Sequence, residues 1–455
     1  MRRSRSVQMN RTITATSVPQ IKSPNSANTI LAAASRPWVI AILSIAALLY
    51  AAGGLRNARG FERADFSCYY LWAYAARQNL NPYTINFEPI AASMRLRTDG
   101  MDHADYPPTF ILMFEPLTML SPQAAYRVWM GLNLAALIAA LVFLLGNDSG
   151  LDNRVKIAFA ALAFLFYPLR IHFNWAQTQL VLLLMLVLTG RWLARRRDGA
   201  AGLILALAGL LKIFPLFVVG YLLVERRWRA LIFTGIGLAL GAAATVVLIG
   251  VPGSVAFCAR LANVFSGNWL AQHGKADSVE LISLTTFVPR IFAAVTGARS
   301  GFVLDLARVA VVALGAVALL LLSVHATRTE PADENHRRRS FALWIVTAVL
   351  LSPTAWIHYM VLLLVPYAEL AIAINRGEAS PRAIWSGAAS YGLAQLSPVM
   401  FAALQALLPM SVVTPIAQCW FPCATLLAYG SAYWLTVDPP PRDTFSPVGE
   451  TQTRV

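Results

Sequence analysis

Ionisable and amide side chains in this sequence occur mainly where long apolar segments begin or end. The candidates for a site are Asp65, Tyr106, Arg170, Gln177, Lys212, Trp356 and His358, with Tyr69, Asn268 and Gln272 as a second group. Polar groups inside a bilayer are costly and usually functional. We therefore expect these residues to converge on one polar pocket that holds a carboxylate, several cations and aromatic platforms.

That combination of side chains suits the transfer of a sugar from a lipid phosphate. A phosphate leaving group is already a stable anion, so its departure needs cationic stabilisation and no obligatory general acid. The acceptor hydroxyl needs one general base, which a single carboxylate can supply. Inversion at the anomeric carbon is also expected, because a double displacement would need a second carboxylate as nucleophile.

Each candidate also has a plainer explanation. Asp65 can be solvated or paired with Arg63, Lys212 can extend to the bilayer interface, and His358 can be a hydrogen-bonded core residue. Gln177 can hold helices together. The aromatic residues Tyr69, Tyr70, Trp72 and Tyr74 favour an interfacial helix, with the rings as anchors at the membrane surface. Only the joint placement of the polar residues favours a site.

The composition identifies the elements that must position these residues. Of the 455 residues, 57% are hydrophobic and 13% are charged, and the mean hydropathy is +0.58. Soluble domains need more charge than this for their surfaces. Four segments are long and apolar enough to cross a bilayer as helices, namely 38–55, 233–251, 302–324 and 356–374. The prediction is an all-α polytopic membrane protein.

The net charge of +15 is explained by membrane topology rather than by binding to nucleic acid. Arginines cluster at 191–197, 226–229 and 328–339, and basic residues precede the first apolar segment without any acid among them. Short cytoplasmic loops are enriched in basic residues. The sequence therefore predicts a cytoplasmic amino terminus, an inner-membrane location and an active site on the outer face.

This topology divides the chain into three parts. Residues 1–37 are expected to be a disordered basic cytoplasmic tail, 38–435 a transmembrane domain, and 436–455 a second cytoplasmic tail. Two large outer loops are predicted at 56–107 and 252–301, the first with interfacial helices. We expect about 12 spans, with 108–120 as a short or partly inserted segment.

Several motifs, in this order, resemble glycosyltransferase family 87 of the GT-C superfamily. They are "ADFSCYYLWAYAARQNLNPYT", "YPPTFILMFEPLTMLSPQAAYRVWMGLNL", "NWAQTQLVLLLMLVL", "AGLILALAGLLKIFPLFVVGYLLVERRWRAL" and "LLSPTAWIHYMVLLLVP". The resemblance extends over about residues 38–435. It implies a GT-C-like helical bundle and an enzyme that moves a hexose, mannose in the known type, from a polyprenyl-phosphate sugar to an extracytoplasmic lipid or glycan acceptor.

The resemblance also implies roles for individual residues. Asp65 matches the catalytic base, His358 would lie near the donor phosphate, and Lys212 would be a further phosphate or structural cation. The family often has Gly-Gln-x-Asn where this chain has "AQTQ", so Gln177 matches the motif while Gln179 replaces the Asn. The sequence lacks an Asp-x-Asp motif and a His cluster with metal-ligand spacing, so we expect neither a metal nor another cofactor.

Two other function classes remain open from the residues alone. A transporter or flippase of a lipid-linked sugar would also need polar groups in the membrane, but near its centre and on broken, mirrored helices. A structural or assembly subunit would have no convergent pocket. The positions of the candidates at outer helix ends favour the transferase.

Overall fold

A computed structural model describes residues 36–56, 60–62, 65–98, 103–266, 270, 272–275, 277–296, 302–329 and 333–438. Within these ranges the chain is helical and has no strand, with one isolated β-bridge between Leu281 and Trp356. The α-helices are α1 (Pro37–Arg56), α2 (Asp65–Arg77), α3 (Glu88–Ser93), α4 (Pro108–Phe114), α5 (Pro122–Leu144), α6 (Asn153–Leu165), α7 (Tyr167–Trp175), α8 (Gln179–Ala194), α9 (Asp198–Leu211), α10 (Val219–Val224), α11 (Trp228–Phe265), α12 (Leu284–Thr296), α13 (Phe302–Arg328), α14 (Glu334–Leu351), α15 (Leu364–Asn375), α16 (Pro381–Leu407) and α17 (Met410–Val437). Short 3-10 helices cover Glu115–Met119, Asn147–Ser149, Phe214–Val218 and Ile357–Leu363.

Five helical segments of the described chain are long and apolar enough to cross a membrane, and a sixth is added if the bent pair α6 and α7 forms one span. Apolar side chains on the outside of α11 and α13 are largely exposed, including Val247 at 81% and Leu314 at 69%. Water would not tolerate such continuous apolar surface, whereas lipid does. The prediction of an all-α polytopic membrane protein is confirmed, and the count of about 12 spans stays a prediction.

Prolines divide several apolar segments into short helices. The chain bends by 52° between α6 and α7, where Pro168 lies in the first turn of α7, because a residue before proline avoids helical backbone angles. Segment 108–120 forms the seven-residue α4 and a five-residue 3-10 helix. Its α-helix is too short to cross the hydrocarbon.

The centre of the protein is formed by α14 and the segment that follows it. From Ser340 to Leu351 every residue of α14 is buried, and so is every residue of Ile357–Leu363. Helix α8 packs beside this centre, α9 packs on α8, and α16 packs along α17. Helix α14 and the segment Ile357–Leu363 therefore lie in the protein interior, and their ends determine where polar groups can be placed.

The second predicted outer loop, 252–301, is not an irregular loop. Helix α11 has a break at Gly250, whose φ of 71° lies in the left-handed region, and helical structure resumes through Pro252 to Phe265. Glycine adopts this φ without a steric penalty, and proline is favoured in the first turn of a helix. The predicted loop therefore starts with a helix and contains α12 as well.

The aromatic helix in the first predicted loop exists as α2, but its rings face the protein. Tyr69, Tyr70 and Trp72 are buried against α4, α5 and the 3-10 helix that joins them. The expectation that these side chains anchor the surface of the membrane is therefore wrong. Their rings contact neighbouring aromatic rings edge to face, a geometry that stabilises buried aromatic clusters.

Candidate active site

A cavity of about 180 Å³ lies where α2, α9, α14 and the segment after α14 come together. Its polar lining combines acidic, basic and aromatic groups, namely Asp65, Asp105, Tyr106, Gln177, Lys212, Lys275, Glu280, Trp356 and His358. Apolar residues from the second half of α11, including Leu261 and Val264, form one wall. An enclosed space of this composition can hold a charged headgroup beside an apolar chain.

Asp65 is the first residue of α2, and its carboxylate lines the cavity. An acidic residue in the first turn is stabilised by the unpaired backbone N–H groups and the dipole of the helix. Every residue from Phe66 to Ala73 of α2 is buried, so packing opposes a rotation of the helix that would move the carboxylate away. The fold thus fixes Asp65 at the boundary between a buried helix and an open space.

Gln177 connects Asp65 to two tyrosines. Its amide nitrogen donates a hydrogen bond to Oδ2 of Asp65, while its amide oxygen accepts from the Tyr69 hydroxyl at 3.0 Å and the Tyr106 hydroxyl at 3.2 Å. The two hydroxyls are 2.9 Å apart. Because both tyrosines donate to the oxygen, the amide nitrogen must point to the carboxylate. Gln177 therefore holds Asp65 in one orientation.

Lys212 completes this network from the opposite side. Its Nζ donates a hydrogen bond of 2.8 Å to the Tyr106 hydroxyl. The same atom lies 4.7 Å from the ring centre of Tyr106 and 4.4 Å from that of Tyr359, distances at which aromatic faces attract a cation. Lys212 is extended, with φ −158° and ψ 133°, and separates α9 from the following 3-10 helix. The break directs the side chain into the cavity rather than along a helix.

Burial changes the acid-base properties of the two loop groups in this network. The pKa of the Lys212 ammonium is lowered to about 7 by burial, and the nearby Asp65 carboxylate opposes part of that decrease. The pKa of the Tyr106 hydroxyl is raised, chiefly by burial. Both pKa shifts have the same cause, since burial in a medium of low polarity disfavours the charged form of each group. Tyr106 therefore stays protonated at neutral pH, and Lys212 is poised between its two states.

His358 lines the cavity and is the second residue of the buried 3-10 helix Ile357–Leu363. It is 5% exposed, and neither ring nitrogen has a hydrogen-bond partner among the described residues. Buried polar atoms are nearly always paired, so two unpaired nitrogens beside a cavity indicate a place for a ligand. The helix-ending sequence Ser352–Pro353 precedes it, and backbone hydrogen bonds from Ile357 to Glu280 and from Ile282 to Ala355 hold the segment in place.

The geometry can be compared with known protein families. A family model for glycosyltransferase family 87 matches residues 105–353, more than half of the 455-residue chain. The chain belongs to glycosyltransferase family 87. It is therefore a membrane-embedded glycosyltransferase, an enzyme with a sugar donor and an acceptor. A comparison with curated proteins found no match.

The range that matches the family model contains some of the residues that line the cavity, but not all of them. Tyr106, Gln177 and Lys212 lie inside the matched residues, whereas Asp65 precedes them and His358 follows them. The cavity brings all five together. The cavity thus joins residues inside the matched range to residues on either side of it.

Other predicted site residues lie outside this cavity. Arg170 is placed over the ring of Tyr50, 5.2 Å from its centre, and does not line the cavity. Gln272 is exposed and also not part of the lining. Tyr69 lies behind the wall, where it contacts Tyr106 and Gln177. Asn268 lies outside the described residues.

The cavity also contains charged residues that the sequence reasoning did not assign to it. Asp105 forms an ion pair of 2.9 Å with Arg260, and Lys275 lies 5.8 Å from the ring centre of Trp356. With Glu280 the lining has three carboxylates, so the expectation of a single carboxylate is wrong. Asp105 directly precedes the "YPPTF" motif, a signal that could have been used. Glu280 reaches the cavity through backbone pairing with residues 355–357, which no sequence pattern indicates.

Proposed function

We propose that the protein is an inverting hexosyltransferase that moves a hexose from a polyprenyl-phosphate sugar to an extracytoplasmic lipid or glycan acceptor. The family resemblance favours mannose. One observation carries the proposal: an oriented carboxylate, a buried lysine and an unpaired histidine line the same cavity. Asp65 acts as the general base, and Lys212 and His358 bind the donor phosphate.

The cationic side of the cavity suits a phosphate leaving group. As the bond between the sugar and the phosphate breaks, negative charge develops on the bridging oxygen. Lys212 offers an ammonium group, and His358 offers an N–H donor from whichever ring nitrogen carries the proton. Both are already buried, so they stabilise this charge more strongly than they would in water.

The carboxylate side suits activation of an acceptor hydroxyl. Asp65 would accept the hydroxyl proton as the oxygen attacks the anomeric carbon from the face opposite the phosphate. This displacement forms one C–O bond, breaks one C–O bond and inverts the carbon. Asp105 is paired with Arg260, which disfavours a role for it as base or nucleophile. Glu280 is the carboxylate that competes with Asp65 for the role.

The arginines at the other end of the central helices support the proposed orientation. Helices α8 and α14 have the cavity at one end and Arg191 and Arg337 near the other. Basic ends favour the cytoplasm, so the cavity would open to the outer face. Its polar groups follow helix ends rather than helix middles, which favours a transferase over the flippase alternative.

Transfer from radiolabelled polyprenyl-phosphate sugars by membranes that contain the full-length protein tests the proposal. Asp65→Asn should lower the transfer rate at least ~100-fold, the usual contribution of a general base. Glu88→Gln, an exposed carboxylate on α3, should leave it unchanged. Near-normal transfer by Asp65→Asn together with a large loss in Glu280→Gln would assign the base to Glu280 instead. Retention of the donor's anomeric configuration in the product would exclude the inverting mechanism.

A further inference from the structure

A second cavity, of about 210 Å³, lies at the opposite end of the central helices from the candidate active site. Its charged lining comprises Asp148, Arg191, Arg195, Arg196, Arg227, Glu334, Arg337, Arg338 and Glu369. Six of these nine side chains are arginines. We propose that this cavity binds the headgroup phosphate of an anionic membrane lipid.

Two helices, α8 and α14, place the two cavities on opposite sides. Gln177 precedes α8 and Ala194 ends it, Ser352 follows α14 and Arg337 lies near its start, and each of these residues lines one of the cavities. The 16 residues of α8 correspond to a length of about 24 Å at 1.5 Å per residue. That length is close to the thickness of the bilayer hydrocarbon. The arginine cavity therefore lies at the level of the other leaflet's headgroups.

The ion pairs around this cavity do not use all the N–H donors of the arginines that line it. Asp148 is shared between Arg191 at 3.1 Å and Arg195 at 3.4 Å. Arg338 is paired with Glu369, and two further pairs use acids outside the lining. Arg196 has no ion-pair partner among the residues that the structure describes. Since each guanidinium has five N–H donors, the paired arginines can also donate to a phosphate.

The backbone at Arg196 turns the chain out of α8 beside the cavity. Arg196 follows the C-cap of α8 with a φ of 57°, in the left-handed region where glycine or asparagine is preferred at this position. A longer side chain there costs conformational energy. An exposed arginine in this position next to five others fits the binding of an anion.

Apolar surface next to the cavity favours a lipid over free phosphate. Phe143 and Leu144 at the end of α5 line the cavity. The same helix exposes Ile138 and Val142, at 49% and 61%, within two turns of these lining residues. A phosphate bound by the arginines would leave acyl chains lying along this face. Basic pockets between helices on the cytoplasmic side are the usual sites for anionic headgroups.

The chain supplies a matched pair of variants for the test. Arg196→Gly removes the side chain from the cavity and places glycine at a left-handed position. Arg226→Gly makes the same change at the end of α10, where Arg226 also has a left-handed φ of 54° and is exposed but does not line the cavity. Neither variant should unfold the protein, because glycine adopts this backbone more readily than arginine.

Native mass spectrometry of the full-length protein in detergent, titrated with phosphatidylglycerol, measures lipid binding. Arg196→Gly should bind it about fivefold more weakly than the unchanged protein, the effect of one basic residue at an anionic surface. Arg226→Gly should bind normally, and phosphatidylcholine with the same chains should bind weakly to all three. Equal binding by Arg196→Gly, or an equal loss in Arg226→Gly, would overturn the proposal.

Inorganic phosphate distinguishes the two possible sources of the anion. Thermal unfolding of the same three proteins is followed with phosphatidylglycerol and, separately, with millimolar inorganic phosphate. We expect stabilisation that depends on Arg196 with the lipid and none with phosphate alone. Stabilisation by phosphate without any by the lipid would assign the cavity to a soluble phosphate and contradict the lipid site.

Discussion

The ammonium group of Lys212 lies between two aromatic rings and beside the Tyr106 hydroxyl, with Asp65 as its acidic neighbour in the cavity. Burial lowers its pKa to about 7, so the charged form predominates below that pH and is lost above it. The proposed donor, a polyprenyl-phosphate sugar, is a phosphodiester and keeps its negative charge throughout this range. The protonation state of Lys212 therefore controls its attraction for the donor.

Donor binding should weaken as the pH rises above about 7. The KM for the donor is expected to increase by up to about tenfold per pH unit at the steepest part, since one unit of pH changes the ammonium fraction by that factor. Lys212→Arg, which keeps its charge at every pH used, should remove this dependence, and Lys212→Met should have a high KM at all pH values. A pH profile of KM that is the same in Lys212→Arg and the unchanged protein would exclude Lys212 as the titrating group.

In the proposed mechanism, Gln177 is a positioning residue for the Asp65 carboxylate. Gln177→Leu removes the hydrogen bond to Asp65 and both tyrosine contacts, so we expect kcat to fall about 10- to 100-fold with a smaller change in KM, as expected for a misplaced catalytic group. Steady-state kinetics of transfer measure this split. Gln272→Leu, at an exposed residue outside the cavity, serves as control. A comparable loss in Gln272→Leu would instead support its predicted role on the acceptor side.

The site residues that could be predicted share one property. Asp65, Lys212 and His358 each interrupt or adjoin an apolar segment, where a charged or polar group has a high cost unless it is used. Arg170 satisfies the same criterion and still faces Tyr50, because the direction of a side chain depends on helix rotation. Sequence position gives the membrane depth of a residue more reliably than the direction in which it points.

At the scale of the elements, helix α9, which ends directly before Lys212, packs closely against α11. A Cβ atom added to Gly202 would lie 2.2 Å from the carbonyl oxygen of Ala230, and Thr234 donates a hydrogen bond to the Gly202 carbonyl. Small residues at helix contacts allow this approach in membrane proteins. Glycine is required at position 202 because the backbone of Ala230 lies so close, and not because of the backbone angles at Gly202.

Gly202→Ala should therefore destabilise the protein by about 1–3 kcal/mol, the usual cost of overpacking. Gly235→Ala is the matched control on α11, because no atom lies within 4 Å of its added Cβ. That variant should be neutral or slightly more stable, since alanine favours helix over glycine. Thermal inactivation of transfer activity and unfolding in detergent measure both. Equal stability of the two variants would contradict the close contact.

Helix positions were easier to predict than loop pairings. Apolar length predicted helices at 38–55, 233–251 and 302–324, which the structure has within a few residues at α1, the part of α11 before Gly250, and α13. The strand-like contact of residues 280–282 with 355–357 joins segments far apart in the chain. Such pairing depends on tertiary structure, so Glu280 could not be placed in the site from the sequence.

The whole molecule has a different chemistry at its two ends. One end collects carboxylates, amides and aromatic hydroxyls around the candidate active site, and the other collects arginines and their acidic partners. Charge asymmetry of this kind sets the orientation of a membrane protein during insertion. It links the proposed outer-face chemistry and the proposed lipid site to one topology.

Labelling of single cysteines in intact cells tests that topology. With the four native cysteines replaced by serine, Gln272→Cys should react with a membrane-impermeant maleimide from outside. Arg154→Cys, at an exposed position near the arginine cavity, should react only after lysis. The opposite pattern would place the candidate active site in the cytoplasm.

The break at Gly250 divides α11 into two helical parts that contact different elements. The first part packs on α9. The second part is joined to Asp105 by the ion pair of Arg260 and contributes Leu261 and Val264 to the wall of the candidate active-site cavity. The position of that wall therefore depends on the backbone angles at Gly250. Substitutions around residues 250–252 could therefore adapt the enzyme to acceptors of another size while its chemistry stays the same.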